Sequence, residues 1–168
     1  MRVLTLVIVI SFQSCLSTRV AGTDEAQLTF GALTEQVRSD SELSDLSVIS
    51  GPCMGICPVY EFYYLQDSVA ILVAEENILD SGSYYSILTL AEQEQIGALL
   101  GTMNWDSFES EYTTTMMDLP TTEFEVRLAN GELKKIVFMD TRPQELIRLR
   151  DDLVAFISDL EWVPIQVD

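Results

Sequence analysis

Polar and apolar residues alternate along the chain with two different periods, and the elements follow from where the period changes. Residues 45–50 (DLSVIS) are a short apolar segment that reads as a strand. From 58 to 66 (PVYEFYYLQ) aromatic and β-branched residues dominate. Alternation puts Tyr60, Phe62 and Tyr64 on one face and Val59, Glu61, Tyr63 and Leu65 on the other. Gln66-Asp67-Ser68 is a tight turn into residues 69–74, which predicts a hairpin, and a further strand is expected near 82–88. Thr89 opens a helix with capping-box spacing to Glu92, and Ile96, Leu99, Leu100 and Met103 form its apolar stripe.

The second half repeats the theme. Thr122, Phe124, Val126 and Leu128 alternate with Glu123, Glu125 and Arg127, as a half-buried strand requires. Asn130-Gly131 predicts a type I′ turn, with residues 133–139 as the partner strand. Pro143 suits a first helical position, and Leu146, Leu149, Leu153, Ile157 and Leu160 stripe a terminal helix closed by Trp162-Val163-Pro164. Strands, a helix, a hairpin and another helix predict an α+β fold: two layers, a mainly antiparallel sheet and two helices packed on one face.

The amino terminus has its own pattern. A basic start at Arg2, an apolar run over residues 3–10 and small residues ending at Cys15 describe a signal peptide over 1–14. The run is far shorter than the roughly 20 residues of a membrane span. Phe12-Gln13-Ser14-Cys15 resembles a bacterial lipobox, which makes Cys15 the lipidated first residue of the mature chain. Cleavage after Gly22 is the alternative, but it leaves a long gap after the apolar run. Residues 15–43, rich in Ser, Thr, Gly and acids, read as a lipid-attached flexible tether in which Leu28, Phe30 and Leu33 are able to dock. One domain follows over 44–168.

Composition narrows the chemistry. With 9 Lys+Arg against 27 Asp+Glu the net charge is −18, which repels nucleic acid, and 48% apolar residues exclude a disordered chain. No histidine is present, so His-based triads and His-ligated zinc or haem are excluded.

Gly51-Pro52-Cys53-Met54-Gly55-Ile56-Cys57-Pro58-Val59-Tyr60 resembles the G-P-C-x-G-x-C-P-x-Y signature of an uncharacterised bacterial family, domain of unknown function 6438. Asp118-Leu119-Pro120-Thr121-Thr122 looks like its second motif, a D-L-P-T segment opening a strand. The resemblance covers about residues 45–163, departs at Gln66-Asp67-Ser68 where an Asp-Gly turn is expected, and implies an exported, often lipid-anchored module without an established activity.

Cys53 and Cys57 have neither thioredoxin spacing nor enough partners for closed zinc. A local disulfide is the ordinary reading outside the cytoplasm, and thiol-redox work is the alternative. Tyr60, Phe62, Tyr63, Tyr64, Tyr84 and Tyr85 suit either a ligand platform or the core, and the core is preferred because Phe62, Val59 and Leu65 need burial. No Lys or Arg occurs from Ser39 to Val126, against sixteen carboxylates. Asp106, Glu109, Glu111 and Asp118 are candidates for a cation, but a solvated acidic surface is the simpler account. Lys134-Lys135 lies in a predicted strand without an S-x-x-K motif. The expected function is an exported, lipid-anchored, non-catalytic binding or scaffolding module of the cell envelope. Its partners are the membrane and an envelope protein or ligand, with no cofactor and no metal. Thiol-redox and cation-binding modules are the alternatives.

Overall fold

The computed structural model describes residues 23–40, 43–115, 118–139 and 141–165 of the chain. Cys15 and the expected signal peptide lie outside those residues. Helix α1 (Thr23–Ser39) leads into β1 (Ser44–Ser50), β2 (Val59–Leu65), β3 (Val69–Glu76) and β4 (Gly82–Ile87). Then follow α2 (Leu90–Gly101), β5 (Glu111–Tyr112), β6 (Thr121–Arg127), β7 (Leu133–Met139), α3 (Gln144–Asp159) and β8 (Val163–Ile165). The described strands form one eight-stranded sheet in the order β5-β7-β6-β1-β2-β3-β4-β8. All pairings are antiparallel except β5 with β7. The fold is α+β, as the periodicity predicts.

Alternation sorts the buried side chains into two groups. Leu46, Val48, Tyr60, Phe62, Leu72, Phe124, Ile136 and Phe138 share one cluster with Ile96 of α2 and with Leu146, Leu149, Leu153, Phe156 and Ile157 of α3. The out-of-phase residues Tyr63, Leu65 and Ile71 share another cluster with Val37 of α1. Of the β2 aromatics Tyr60, Phe62 and Tyr63 are buried core and Tyr64 is half-buried, as are Tyr84 and Tyr85 of β4.

Three elements differ from expectation. Residues 23–39 fall in the expected tether but are helical, and Val37 is 1% exposed. The cause is an apolar stripe: Leu33 and Val37 cover side chains that β2 and β3 would otherwise leave in water, and Phe30 covers Tyr85 of β4. Phe30 stacks on Tyr85 with centroids 3.8 Å apart, and Arg38 pairs with Glu61 at 2.7 Å. Tyr63 Oη donates to the same carboxylate at 2.9 Å.

The Asn130-Gly131 turn is not type I′. Only Gly131, at φ +87°, has positive φ there, and its N–H donates to the Leu128 carbonyl at 2.8 Å. This is a three-residue loop on a type I turn, with glycine in the left-handed position. Asn130 Oδ1 accepts from the Glu132 N–H at 3.0 Å, which stabilises negative φ at Asn130.

The third difference is at the sheet's ends, where β5 and β8 are strands that periodicity does not reveal. The Thr89–Glu92 capping box is present, and Pro143 stands one residue before α3, as its N-cap.

Candidate functional site: the Cys53–Cys57 loop and its cleft

Residues 51–58 connect β1 to β2, and glycines and prolines keep them out of regular structure. The loop is nevertheless tied down at several points. Gly51 N–H donates to the Thr121 carbonyl at 2.9 Å, and Met54 N–H donates to the Asp118 carbonyl at 3.4 Å. A Cβ on Gly51 would stand 3.4 Å from Thr121 O, at the near limit of ordinary contact. Asn77, in the left-handed region at φ 59°, donates its amide to the Cys57 carbonyl at 2.9 Å. Cys53 and Cys57 stand at disulfide-bonding distance, with their Cα atoms 5.9 Å apart. The segments 51–60 and 118–122, singled out separately in the sequence, thus form one structure.

This anchored loop carries the two most exposed large apolar side chains described, Met54 at 82% and Ile56 at 89%. Beside it lies a cleft of about 250 Å³. Ile56, Pro58, Pro120 and Val154 supply apolar walls, Ser50 and Cys57 lie on the loop side, and Arg150 and Asp151 of α3 supply charge. Arg150 pairs with Asp151 at 2.7 Å; its side chain is 12% exposed against 62% for the aspartate. The Ser50 hydroxyl is committed to the Pro58 carbonyl at 2.9 Å. Ser50 is in register with Tyr60 on one side and Thr122 on the other. Tyr60 Oη and Thr122 Oγ1 are buried and find no hydrogen-bond partner among the described residues. Burial pushes the Tyr60 phenol well above its usual pKa, opposed by the charge of Arg150 and reinforced by that of Asp151.

The geometry suits an apolar group seated between prolines and a valine, flanked by one fixed ion pair. Arg150 was not apparent from sequence, where it is merely the last of the basic residues clustered over 127–150. Folding brings it, paired with Asp151, to the cleft that Cys57 also lines, which sequence proximity does not indicate. The acidic candidates are not gathered in the same way. Glu111 opens β5, the Asp118 carbonyl holds the Cys53–Cys57 loop, and Glu109 N–H donates to Tyr112 Oη at 2.8 Å. Among the described residues no group of three or more Asp, Glu or Cys is placed to hold a metal. No described helix is long and apolar enough to cross a membrane.

A comparison with curated proteins finds no match. The profile of the domain of unknown function DUF6438 matches residues 44–157, more than half of the chain, including the loop, the cleft and all but the last two residues of α3. Helix α1 precedes the matched region. The chain therefore belongs to the DUF6438 family.

Proposed function

We propose that this protein is an exported, lipid-anchored, non-catalytic binding module of the cell envelope, whose partner meets the Cys53–Cys57 loop and the adjoining cleft. In this reading residues 1–14 are a signal peptide, Cys15 carries the lipid and residues 44–168 form two layers, with α2 and α3 on one face of the sheet, to which α1 adds a third layer on the other face. The cluster shared by those helices and the alternate strand residues supports the layering. Cys53 and Cys57 form a disulfide that shapes the loop.

One observation carries the binding assignment. Met54 and Ile56 stay in water at 82% and 89% exposure on a loop whose backbone is fixed to β6, Asp118 and Asn77. A backbone already tied down loses little further entropy when a partner covers the apolar side chains it presents.

The test is a double substitution, Met54→Ser with Ile56→Ser. It is expected to leave the melting temperature nearly unchanged and to abolish recovery of a cross-linked partner from the native envelope. Equal recovery from wild type and variant would remove the loop from the binding surface. Cys15→Ser is expected to move the protein out of the membrane fraction. Intact mass showing an unmodified terminus at Thr23 would refute the anchor.

A second reading, thiol–disulfide exchange, draws on Arg150 lining the same cleft as Cys57, since a nearby guanidinium stabilises a thiolate. Free, rapidly alkylated thiols at neutral pH would put it ahead of the structural disulfide.

A further inference from the structure

Helix α1 determines which side of the body lies nearest an amino-terminal anchor. Phe30 stacks on Tyr85 of β4 at 3.8 Å, and a Cβ on Gly31 would lie 3.8 Å from Ile165 Cγ2 of β8. Farther along, Val37 packs with Tyr63, Leu65 and Ile71 of β2 and β3, and Arg38 pairs with Glu61 of β2. The helix thus crosses the sheet inward from its β8 side. Helical rise of about 1.5 Å per residue carries the stretch before Phe30 about 10 Å back, roughly two strand spacings, which places Thr23 at or beyond the β8 edge.

The distance from Cys15 to Thr23 is limited by covalent geometry. Eight residues reach at most about 28 Å however they are arranged. The sheet from β8 to β5 is about 34 Å wide at the usual strand spacing. An anchor at Cys15 is therefore too short for the molecule to stand on its β5 edge.

The surface chemistry agrees with that limit. Ile87 on β4 is 67% exposed and Val163 on β8 is 41% exposed. Val163 is in register with Tyr85, so it shares the α1 face with Ile87, its diagonal neighbour. The same face of β6 and β7 is mixed, with Glu123, Glu125, Arg127 and Lys135 interspersed with half-buried Leu133 and Val137.

We propose that the β4–β8 edge, with Ile87 and Val163, faces the lipid surface. The Cys53–Cys57 loop, between β2 and β1, then stands three to four strands out from β8, about 14–19 Å at the usual spacing, clear for a partner. The inference rests on lipid attachment at Cys15.

The full-length protein, extracted from membranes and reconstituted in phosphatidylcholine vesicles, would carry a fluorophore at a cysteine introduced by Val163→Cys, Ile87→Cys or Asn130→Cys. All three positions are surface sites, and matched melting temperatures confirm equal folding. Headgroup spin-labelled lipid is expected to quench positions 163 and 87 several times more strongly than position 130. Equal quenching, with Cys15 shown by intact mass to be lipidated, overturns the orientation alone. An unmodified Cys15 overturns the anchor, and the orientation with it.

Discussion

Tyr60 and Tyr63 are held neutral by the fold. For both, burial is the main cause of a raised pKa, and at Tyr63 the hydrogen bond to Glu61 adds to it. An unfolded phenol ionises from about pH 10, whereas the folded groups retain their protons to higher pH. Stability is therefore intact below about pH 10 and falls as pH rises through the window up to the raised folded values. Tyr60→Phe removes one of these titrations together with an unpartnered hydroxyl. It should leave neutral-pH stability unchanged or up to about 1 kcal/mol higher, and make the alkaline fall shallower. Denaturant midpoints measured across pH check both. Gly131→Val has room for its side chain but not for its backbone, since φ is +87° with nothing within 4 Å of a Cβ. A loss of about 1–3 kcal/mol is expected, read from the same midpoints. Replacing Cys53 and Cys57 with Ser is expected to cost about 2 kcal/mol, in keeping with a short closed loop, and to keep the fold.

Among the elements, α1 is the separable one. Val37→Asp places an unpaired charge at a site 1% exposed, which should undock the helix while the larger cluster stays closed. Hydrogen exchange would then lose protection over residues 30–39 and keep it in α3. Loss of protection throughout would show instead that the helix is integral to the domain. The long elements were legible in the sequence because burial follows a simple period in each. β6 alternates strictly, and α3 repeats its leucines every three or four residues. Helix α1 carried a signal too, Phe30, Leu33 and Val37 at helical spacing, but Ser, Thr and Gly around them imitate a linker. β5 and β8 have two and three residues, too few for any period, and exist because a neighbouring strand offers its edge. The type I turn at Asn130 was misread because Asn-Gly serves both turn classes. In the cleft, the loop side was legible as a motif. Arg150 and Val154 were not, because their place depends on how α3 lies relative to β1, and sequence does not state that.

On the scale of the molecule, net charge dominates. At −18 the protein repels itself, so its melting temperature should rise from low to high salt as screening shortens the reach of that repulsion. No change would indicate that the carboxylates outside pairs such as Lys135 with Glu123 and Arg38 with Glu61 are too widely spaced and too well solvated to repel. The sheet's outer strands have a different consequence. Molecules at high concentration meet one another often. A wide sheet with long, flat margins would template pairing between neighbours under those conditions. Here one margin is two residues of β5 and the other is three residues of β8, interrupted by Pro164, which has no N–H to offer. Concentrated solutions should therefore leave these molecules unpolymerised, and Pro164→Val should be the single change that most readily starts fibrils, read by thioflavin fluorescence.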